Sequence, residues 1–126
     1  MSVRDDTLAM QPTNQDDQRS LEVPPPVAIF LAAEKAKDAQ MLALCFADDA
    51  FVHDEGRTYR GLDAVISWKK EADRKYQYVL EPLGATQNAN VVIVVSRLTG
   101  NFPGSPVELD FKFTLANDKI ASLEIG

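Results

Sequence analysis

The sequence predicts an α+β domain in which a curved, mainly antiparallel sheet wraps around about three helices from the N-terminal half of the chain. Apolar residues recur at spacings of three and four in three segments before residue 77, whereas long segments after it alternate apolar and polar residues. The chain has 126 residues, 45% of them hydrophobic, which is enough for one core without disulfides. A single domain is therefore expected.

No helix or strand is predicted for residues 1–20. They are polar, rich in Asp and Gln, and lack a hydrophobic period, so burial would not compensate for the entropy of ordering them. We predict a disordered tail over residues 1–20 and a folded domain over residues 21–126.

Three helices are predicted in the first part of the domain. Pro26 suits the first turn of a helix whose apolar face carries Val27, Phe30 and Leu31. Asp38 is expected to cap a second, short helix. The inner face expected for this helix, within residues 39–47, comprises Met41, Leu42, Leu44 and Cys45. In a third helix over residues 62–76, the buried stripe is Val65, Trp68, Ala72 and Tyr76, and the residues expected mostly towards water are Lys69, Lys70, Glu71, Asp73 and Arg74.

Strands are predicted from Ala50 onwards, where the period changes to two. The side chains expected on one face of the first strand are Phe51, His53 and Glu55, and those on the opposite face are Val52 and Asp54. Gly56 supplies a turn into a short return strand through Thr58 and Tyr59. Longer strands are predicted over residues 78–87, 90–102 and 107–115, and residues 119–125 close the sheet.

Composition argues against several classes of function. A net charge of −6 is unfavourable for binding nucleic acid or an anionic membrane, and no membrane span or signal peptide is visible. The single cysteine, Cys45, lies in an apolar run and predicts a reduced, buried thiol in a cytoplasmic protein. A metal site at His53, Asp54 and Glu55 is not expected, because consecutive strand residues diverge.

The phrase FADDAFVHD, the step from Arg60 to Gly61 into a helix carrying an aromatic residue, and the closing strands together resemble a known family. They are similar to the SnoaL-like branch of the nuclear transport factor 2-like superfamily, which also contains ketosteroid isomerases and polyketide cyclases. The resemblance covers residues 21–125. It implies a cone-shaped fold with an apolar pocket, no cofactor, and a homodimer. The scaffold hosts isomerases, cyclases, dehydratases and proteins that only bind or scaffold.

The resemblance places the catalytic base of ketosteroid isomerases at Asp54, and strand parity independently separates Asp54 from His53. The same enzymes stabilise the enolate with a tyrosine and a protonated aspartate. Phe30 occupies the first of these positions, and Phe111 or Phe113 the second. Steroid isomerase activity of the known kind is therefore not expected, because these positions lack hydrogen-bond donors.

The predicted site consists of Asp54 as the catalytic residue and an apolar lining that includes Trp68 from the third helix. The ligand-binding residues are predicted to be Phe30, Val52, Tyr59, Trp68, Ser96, Leu98, Phe111 and Phe113. Burial by this lining would raise the pKa of Asp54.

Several of these assignments have structural alternatives. Asp54 could instead bind the Gly56 turn or pair with Arg57 or Arg60. Trp68 could belong to the plain core and Tyr59 to the surface. The expectation for His53 is a surface position, and that for Arg97 is the outer face, paired with Glu108 or Asp110.

Two functions from different classes follow. The first is cofactor-independent proton transfer by Asp54 on a small, largely apolar carbonyl compound. The second is a binding or scaffolding protein that keeps the fold without the chemistry. An open cavity with Tyr59 or Ser96 directed at Asp54 favours the first, and a cavity filled by aromatic side chains favours the second. In either case, apolar Val91, Ile93 and Val95 on the outer sheet face predict a homodimer.

Overall fold

Helices and a mixed sheet make up the computed structural model, which describes residues 21–126; the tail predicted over residues 1–20 lies outside the described residues. The helices are α1 (Pro25–Ala36), a 3₁₀ helix (Ala39–Leu44) and α2 (Leu62–Tyr76). The strands are β1 (Phe46–Asp54), β2 (Arg57–Arg60), β3 (Val79–Asn88), β4 (Val91–Thr99), β5 (Val107–Ala116) and β6 (Lys119–Ile125). The predicted α+β class, with three helices and a mainly antiparallel sheet, is confirmed.

The sheet has the strand order β2-β1-β6-β5-β4-β3. All neighbouring strands are antiparallel except β1 and β6, which run parallel. The predicted alternation along β5 is confirmed, with Phe111 and Phe113 buried and Lys112 exposed between them. Strand β6 therefore connects the β1–β2 hairpin to the β3–β4–β5 meander.

The core lies between α1 and the inner face of the sheet. Phe30 of α1 is fully buried, with its ring centroid 5.2 Å from that of Phe113 and 6.1 Å from those of Phe46 and Phe111. Two of these contacts are edge-to-face, the arrangement that aromatic quadrupoles favour. Helix α1 is thus anchored to strands from both halves of the sheet.

The second predicted helix is shorter than expected and has a different pitch. It is a 3₁₀ helix that ends at Leu44. Strand β1 begins at Phe46, four residues before the predicted start at Ala50. With three residues per turn, Ala39, Leu42 and Cys45 face the core while Leu44 remains 60% exposed. The inward placement predicted for Leu44 was wrong because it assumed the α-helical period.

The charged face of α2 also differs from the prediction at one position. Lys69, expected mostly towards water, is fully buried. Its ammonium lies 3.2 Å from a carboxylate oxygen of Glu34 on α1 and 2.5 Å from one of Asp73 on α2. The pattern failed here because Glu34 of α1 and Asp73 of α2 both reach Lys69 and compensate its buried charge.

On the outer face of the sheet, the predicted parity of β4 is confirmed. Val92 and Val94 are buried, whereas Val91, Ile93 and Val95 are half-buried on the opposite face. Further along this face, Arg97 forms ion pairs of 3.3 Å with Glu81 and with Glu108, as expected for Glu108. None of the helices described for residues 21–126 has the length and apolar character needed to cross a membrane.

Candidate functional site

An open cavity of about 370 Å³ lies between α2, the end of α1 and the inner face of the sheet. Its volume falls within the ~300–1,000 Å³ that small-molecule sites commonly have. The lining is aromatic and aliphatic except for three carboxylates. It comprises Glu34, Asp54, Glu55, Trp68, Ala72, Tyr76, Tyr78, Leu98, Phe102, Pro103, Gly104, Val107, Leu109, Phe111 and Ile125.

Asp54 reaches this cavity because it is the last residue of β1 and shares a strand face with buried Val52. The indole Nε1 of Trp68, on the facing stripe of α2, donates a hydrogen bond of 3.1 Å to Asp54 Oδ2. Burial raises the pKa of Asp54, and the Trp68 hydrogen bond opposes that shift. The direction agrees with the expectation from an apolar lining. A raised pKa makes this carboxylate a stronger base than an exposed aspartate.

Glu55 lines the same cavity, although strict alternation placed it on the face opposite Asp54. The alternation stops at Asp54, because Glu55 has a left-handed backbone with φ 55° in the turn that Gly56 completes. Its carboxylate accepts a hydrogen bond of 3.0 Å from the hydroxyl of Tyr76 on α2. The predicted orientation of Glu55 was wrong for this reason.

A second polar group in the cavity is built around Glu34, which is 2% exposed. The Tyr78 hydroxyl donates a hydrogen bond of 2.6 Å to Glu34 Oε1, and Lys69 Nζ lies 3.2 Å from the same oxygen. Glu34 Oε2 is buried and has no hydrogen-bond partner among the described residues. Burial raises the pKa of Glu34, against the opposing effects of Lys69 and Tyr78.

The position of Tyr78 depends on a close approach of the chain at Gly100. A Cβ placed on Gly100 would lie 2.8 Å from the carbonyl oxygen of Tyr76 and from both Cα and Cβ of Tyr78. The next amide, that of Asn101, donates a hydrogen bond of 2.7 Å to the same Tyr76 carbonyl. Glycine at residue 100 therefore lets the loop after β4 close against the two cavity tyrosines.

Comparison with known proteins gives a consistent assignment. The family model of the SnoaL-like domain matches residues 27–123, most of the chain. The chain belongs to the SnoaL-like family. None of the curated proteins compared with it matches.

Solved structures of similar proteins share the fold of this SnoaL-like chain. A candidate polyketide cyclase from Sinorhizobium meliloti is 38% identical with a TM-score of 0.80, over 82% of this chain and 95% of that chain. A protein of ketosteroid isomerase-like fold from Catenulispora acidiphila, solved in complex with trimethylamine, is 20% identical with a TM-score of 0.72, over 83% and 86%. A candidate SnoaL-like polyketide cyclase from Jannaschia sp. is 16% identical with a TM-score of 0.65, over 83% and 89%.

Within the SnoaL-like domain, the structure brings together four of the predicted site residues, Asp54, Trp68, Leu98 and Phe111, around one cavity. The others are placed elsewhere. Phe30, Val52, Phe113 and Ser96 are fully buried and are not among the lining residues. Tyr59 lines a neighbouring groove that shares Asp54 and Trp68 with the cavity. Phe30 and Phe113 pack on each other, so they fill the core beneath the cavity instead of bordering it.

Other polar groups of β1 and β2 take no part in the cavity. His53 is exposed, as parity predicted, and its Nδ1 lies 2.9 Å from Thr58 Oγ1. Within the described chain, neither Arg57 nor Arg60 forms an ion pair with Asp54, whose side-chain partner is Trp68. No cluster of three or more His, Cys, Asp or Glu residues in the described part of the chain is arranged to hold a metal ion.

Two groups of lining residues that were absent from the predicted site are informative. Phe102, Pro103 and Gly104 belong to the loop after β4; the strand predicted over residues 90–102 included Phe102, but β4 ends at Thr99. Glu34 and Tyr78 are separated by 44 residues, and Lys69 lies between them in sequence. The one available signal was the position of Glu34, one helical turn after Phe30 on α1.

Proposed function

We propose that this SnoaL-like protein binds a small, largely apolar carbonyl compound in the cavity and that Asp54 moves a proton on it without a cofactor. The observation that supports this most directly is the Asp54 carboxylate in an open, mainly apolar cavity, with one oxygen fixed by Trp68. The family resemblance, which aligns Asp54 with a catalytic base, agrees with this role.

Three features of the site support binding as well as chemistry. The cavity is open rather than filled by aromatic side chains, which was the arrangement expected of a scaffold that has lost its ligand. Within the described residues, the polar partner of Asp54 is Trp68 and not Tyr59 or Ser96, neither of which lines the cavity. Trp68, Tyr76 and Phe102 offer flat apolar surface to a planar ligand. Burial keeps the pKa of Asp54 above its ordinary value, so the base is stronger than an exposed aspartate.

Deuterium exchange tests the proposal without knowledge of the natural substrate. A panel of planar ketones, including 2-tetralone, is incubated with the protein in deuterated buffer, and loss of the α-proton is followed by NMR. We expect exchange above the buffer rate, reduced by about 10²–10⁴-fold in Asp54→Asn, the usual contribution of a general base. Binding, followed by Trp68 fluorescence, should persist in Asp54→Asn.

The control is Asp63→Asn, which removes a carboxylate from the first turn of α2 without touching the cavity lining. Exchange in this variant should equal that of the wild type. Ketones that bind saturably but exchange at the same rate in wild type and Asp54→Asn would overturn the role of Asp54 and leave a binding protein.

We also propose that the protein forms a homodimer through the outer sheet face. Val91, Ile93 and Val95 lie on this face and remain half-buried in a single chain. Pairing of two such faces would remove their apolar surface from water. The cavity lies on the inner face, so dimerisation in this way leaves its lining unchanged.

A further inference from the structure

The cluster formed by Glu34, Lys69, Asp73 and Tyr78 has no role in the proton transfer described so far. Lys69 is the ammonium group shared by two carboxylates, those of Glu34 at 3.2 Å and Asp73 at 2.5 Å. Fully ionised, the two carboxylates and Lys69 would carry one excess negative charge, and the further cation that pairs with the cluster, Lys37, lies 3.9 Å from Asp73 and not at Glu34. An uncompensated buried charge is costly, and a buried acid avoids that cost by keeping its proton.

Burial and distance indicate which acid keeps the proton. The side chain of Glu34 is 2% exposed and that of Asp73 is 15% exposed, so Asp73 retains more hydration in its ionised form. Lys69 also lies closer to Asp73. Lys37 at the end of α1 adds a second ion pair to Asp73, at 3.9 Å. Within the described chain, Glu34 has only Lys69, and the other charged group near the cluster is Asp54 on β1. Lys69 and Asp73 thus form the ion pair, and Glu34 is the neutral member.

The hydrogen bonds of Glu34 place its proton on one oxygen. Oε1 already accepts from the Tyr78 hydroxyl and lies within reach of Lys69. Oε2 is buried and has no partner among the described residues, although Glu34 itself borders the cavity. A buried hydroxyl without an acceptor is unfavourable, so a ligand oxygen at this point would complete the cluster.

We propose that Glu34, held by Lys69 and Tyr78, donates the hydrogen of its Oε2–H group to the carbonyl oxygen of the ligand. This inference rests on the proposed function. When Asp54 removes the α-proton, the C–H bond breaks, an O–H bond forms on Asp54, and the electron pair moves to the carbonyl oxygen as an enolate. The hydrogen bond from Glu34 stabilises that negative charge, and return of the proton from Asp54 to carbon regenerates the base.

This assignment defines the ligand class. The ligand is uncharged and carries a hydrogen-bond acceptor on an otherwise apolar body, because a neutral Glu34 offers a donor and no counter-charge. If Glu34 were ionised, the site would instead favour an organic cation, because a carboxylate together with the aromatic rings of Trp68, Tyr76 and Phe102 attracts an ammonium group. The two protonation states of Glu34 therefore select different ligands.

The binding test uses two probes of similar size, 2-naphthol, which mimics the enol of 2-tetralone, and benzyltrimethylammonium, with affinities measured by calorimetry at neutral pH. Glu34→Gln keeps an N–H donor and no charge, so its affinity for 2-naphthol should stay within about threefold of the wild type. Glu34→Leu removes the donor and should weaken 2-naphthol by about tenfold or more. Glu71→Gln, at an exposed carboxylate of α2, is the control and should change nothing.

Two results would overturn the role of Glu34. Tighter binding of benzyltrimethylammonium than of 2-naphthol, lost in Glu34→Gln, would show that Glu34 is an anion. Unchanged 2-naphthol affinity in a folded Glu34→Leu would show that it does not contact the ligand.

An infrared spectrum gives a readout that requires neither ligand nor activity. The wild type should show the carbonyl stretch of a protonated carboxylic acid at neutral pH, and this band should be absent from Glu34→Gln. If Glu34→Leu does not fold, this band and the Glu34→Gln titrations still decide the question, and a missing band overturns the proposal.

The roles of Glu34 and Asp54 can fail separately. If ketone exchange does not depend on Asp54 while 2-naphthol binding still depends on a donor at residue 34, the base assignment fails and the donor assignment stands. If exchange depends on Asp54 and is the same in Glu34→Leu as in the wild type, the donor assignment fails and the proposed function stands.

Discussion

Trp68 Nε1 donates a 3.1 Å hydrogen bond to Asp54 Oδ2, joining the aromatic stripe of α2 to the last residue of β1. The bond orients the carboxylate towards the cavity and stabilises its ionised form. The Trp68 hydrogen bond therefore partly offsets the rise in the pKa of Asp54 that burial causes. Several consequences of this and related contacts can be measured.

Trp68→Phe should move the pH dependence of ketone exchange to higher pH. The substitution keeps a ring in the cavity wall but removes the N–H donor, so the pKa of Asp54 rises further above its ordinary value. The active base is the ionised form, and the acidic limb of the exchange rate therefore shifts upwards with the pKa. The loss of a hydrogen bond to a charged group should also lower the free energy of unfolding by about 1–3 kcal/mol.

The matched control is Tyr59→Phe, because the Tyr59 ring lies 6.4 Å from that of Trp68 outside the cavity lining. Its exchange profile should coincide with that of the wild type. An unshifted acidic limb in Trp68→Phe would contradict the assignment of this limb to Asp54.

Gly100→Ala should damage the cavity and the stability together. The new methyl group would lie 2.8 Å from backbone and side-chain atoms of Tyr76 and Tyr78, which must shift to accept it. Overpacking of this kind costs about 1–3 kcal/mol, measured by denaturant unfolding. Affinity for 2-naphthol should fall as well, since both tyrosines border the cavity.

Gly84→Ala is the control for that substitution. Its added Cβ would have no atom within 4 Å, so stability and affinity should be nearly unchanged. Equal effects of the two substitutions would show that the close approach at Gly100 is unimportant.

The thiol of Cys45 should resist alkylation in the native protein. It is fully buried, and burial raises its pKa to about 12, so almost no thiolate exists at pH 8. Iodoacetamide at pH 8 should modify the protein only after denaturant is added, as followed by intact mass.

A neighbouring position provides the contrast. Leu44→Cys places a thiol on a residue that is 60% exposed, and this variant should accept one modification while folded and a second when unfolded. Rapid modification of the folded wild type would contradict the burial of Cys45.

Ile93→Lys should convert the proposed homodimer into monomers. A charge at this half-buried position cannot be desolvated against a second apolar face without a partner. Sedimentation at micromolar concentration should give twice the chain mass of 13.9 kDa for the wild type and a single chain mass for the variant. Glu71→Lys, on α2, is the control, and a monomeric wild type would remove the idea of a dimer.

Much of the fold was predictable because its patterns are local. Alternation along β1 separates Asp54 from His53, and helical spacing places Trp68 on the buried stripe of α2. Each of these statements needs only the period of one element. Two exceptions occur where the period changes, at Leu44 in the 3₁₀ helix and at Glu55 in the left-handed turn.

The Glu34 cluster could not be predicted because it is a tertiary arrangement. Glu34 is followed by two lysines in the segment AAEKAK, which is typical of a helix surface in water. Its partners Lys69 and Tyr78 come from other elements, 35 and 44 residues further along the chain. These contacts depend on how α1, α2 and the link to β3 are placed relative to one another, and the pattern of no single element contains that information.

The central position of β6 has a consequence for how the molecule assembles. Asp54 belongs to the β1–β2 hairpin and Leu98 to the β3–β4–β5 meander, and among the strands of residues 21–126 only β6 hydrogen-bonds these two parts into one sheet. The β1–β6 contacts span about 70 residues, a separation that slows folding. Incompletely folded chains should therefore lack a receptive cavity altogether, and ligand affinity should appear in a single cooperative step with the native sheet.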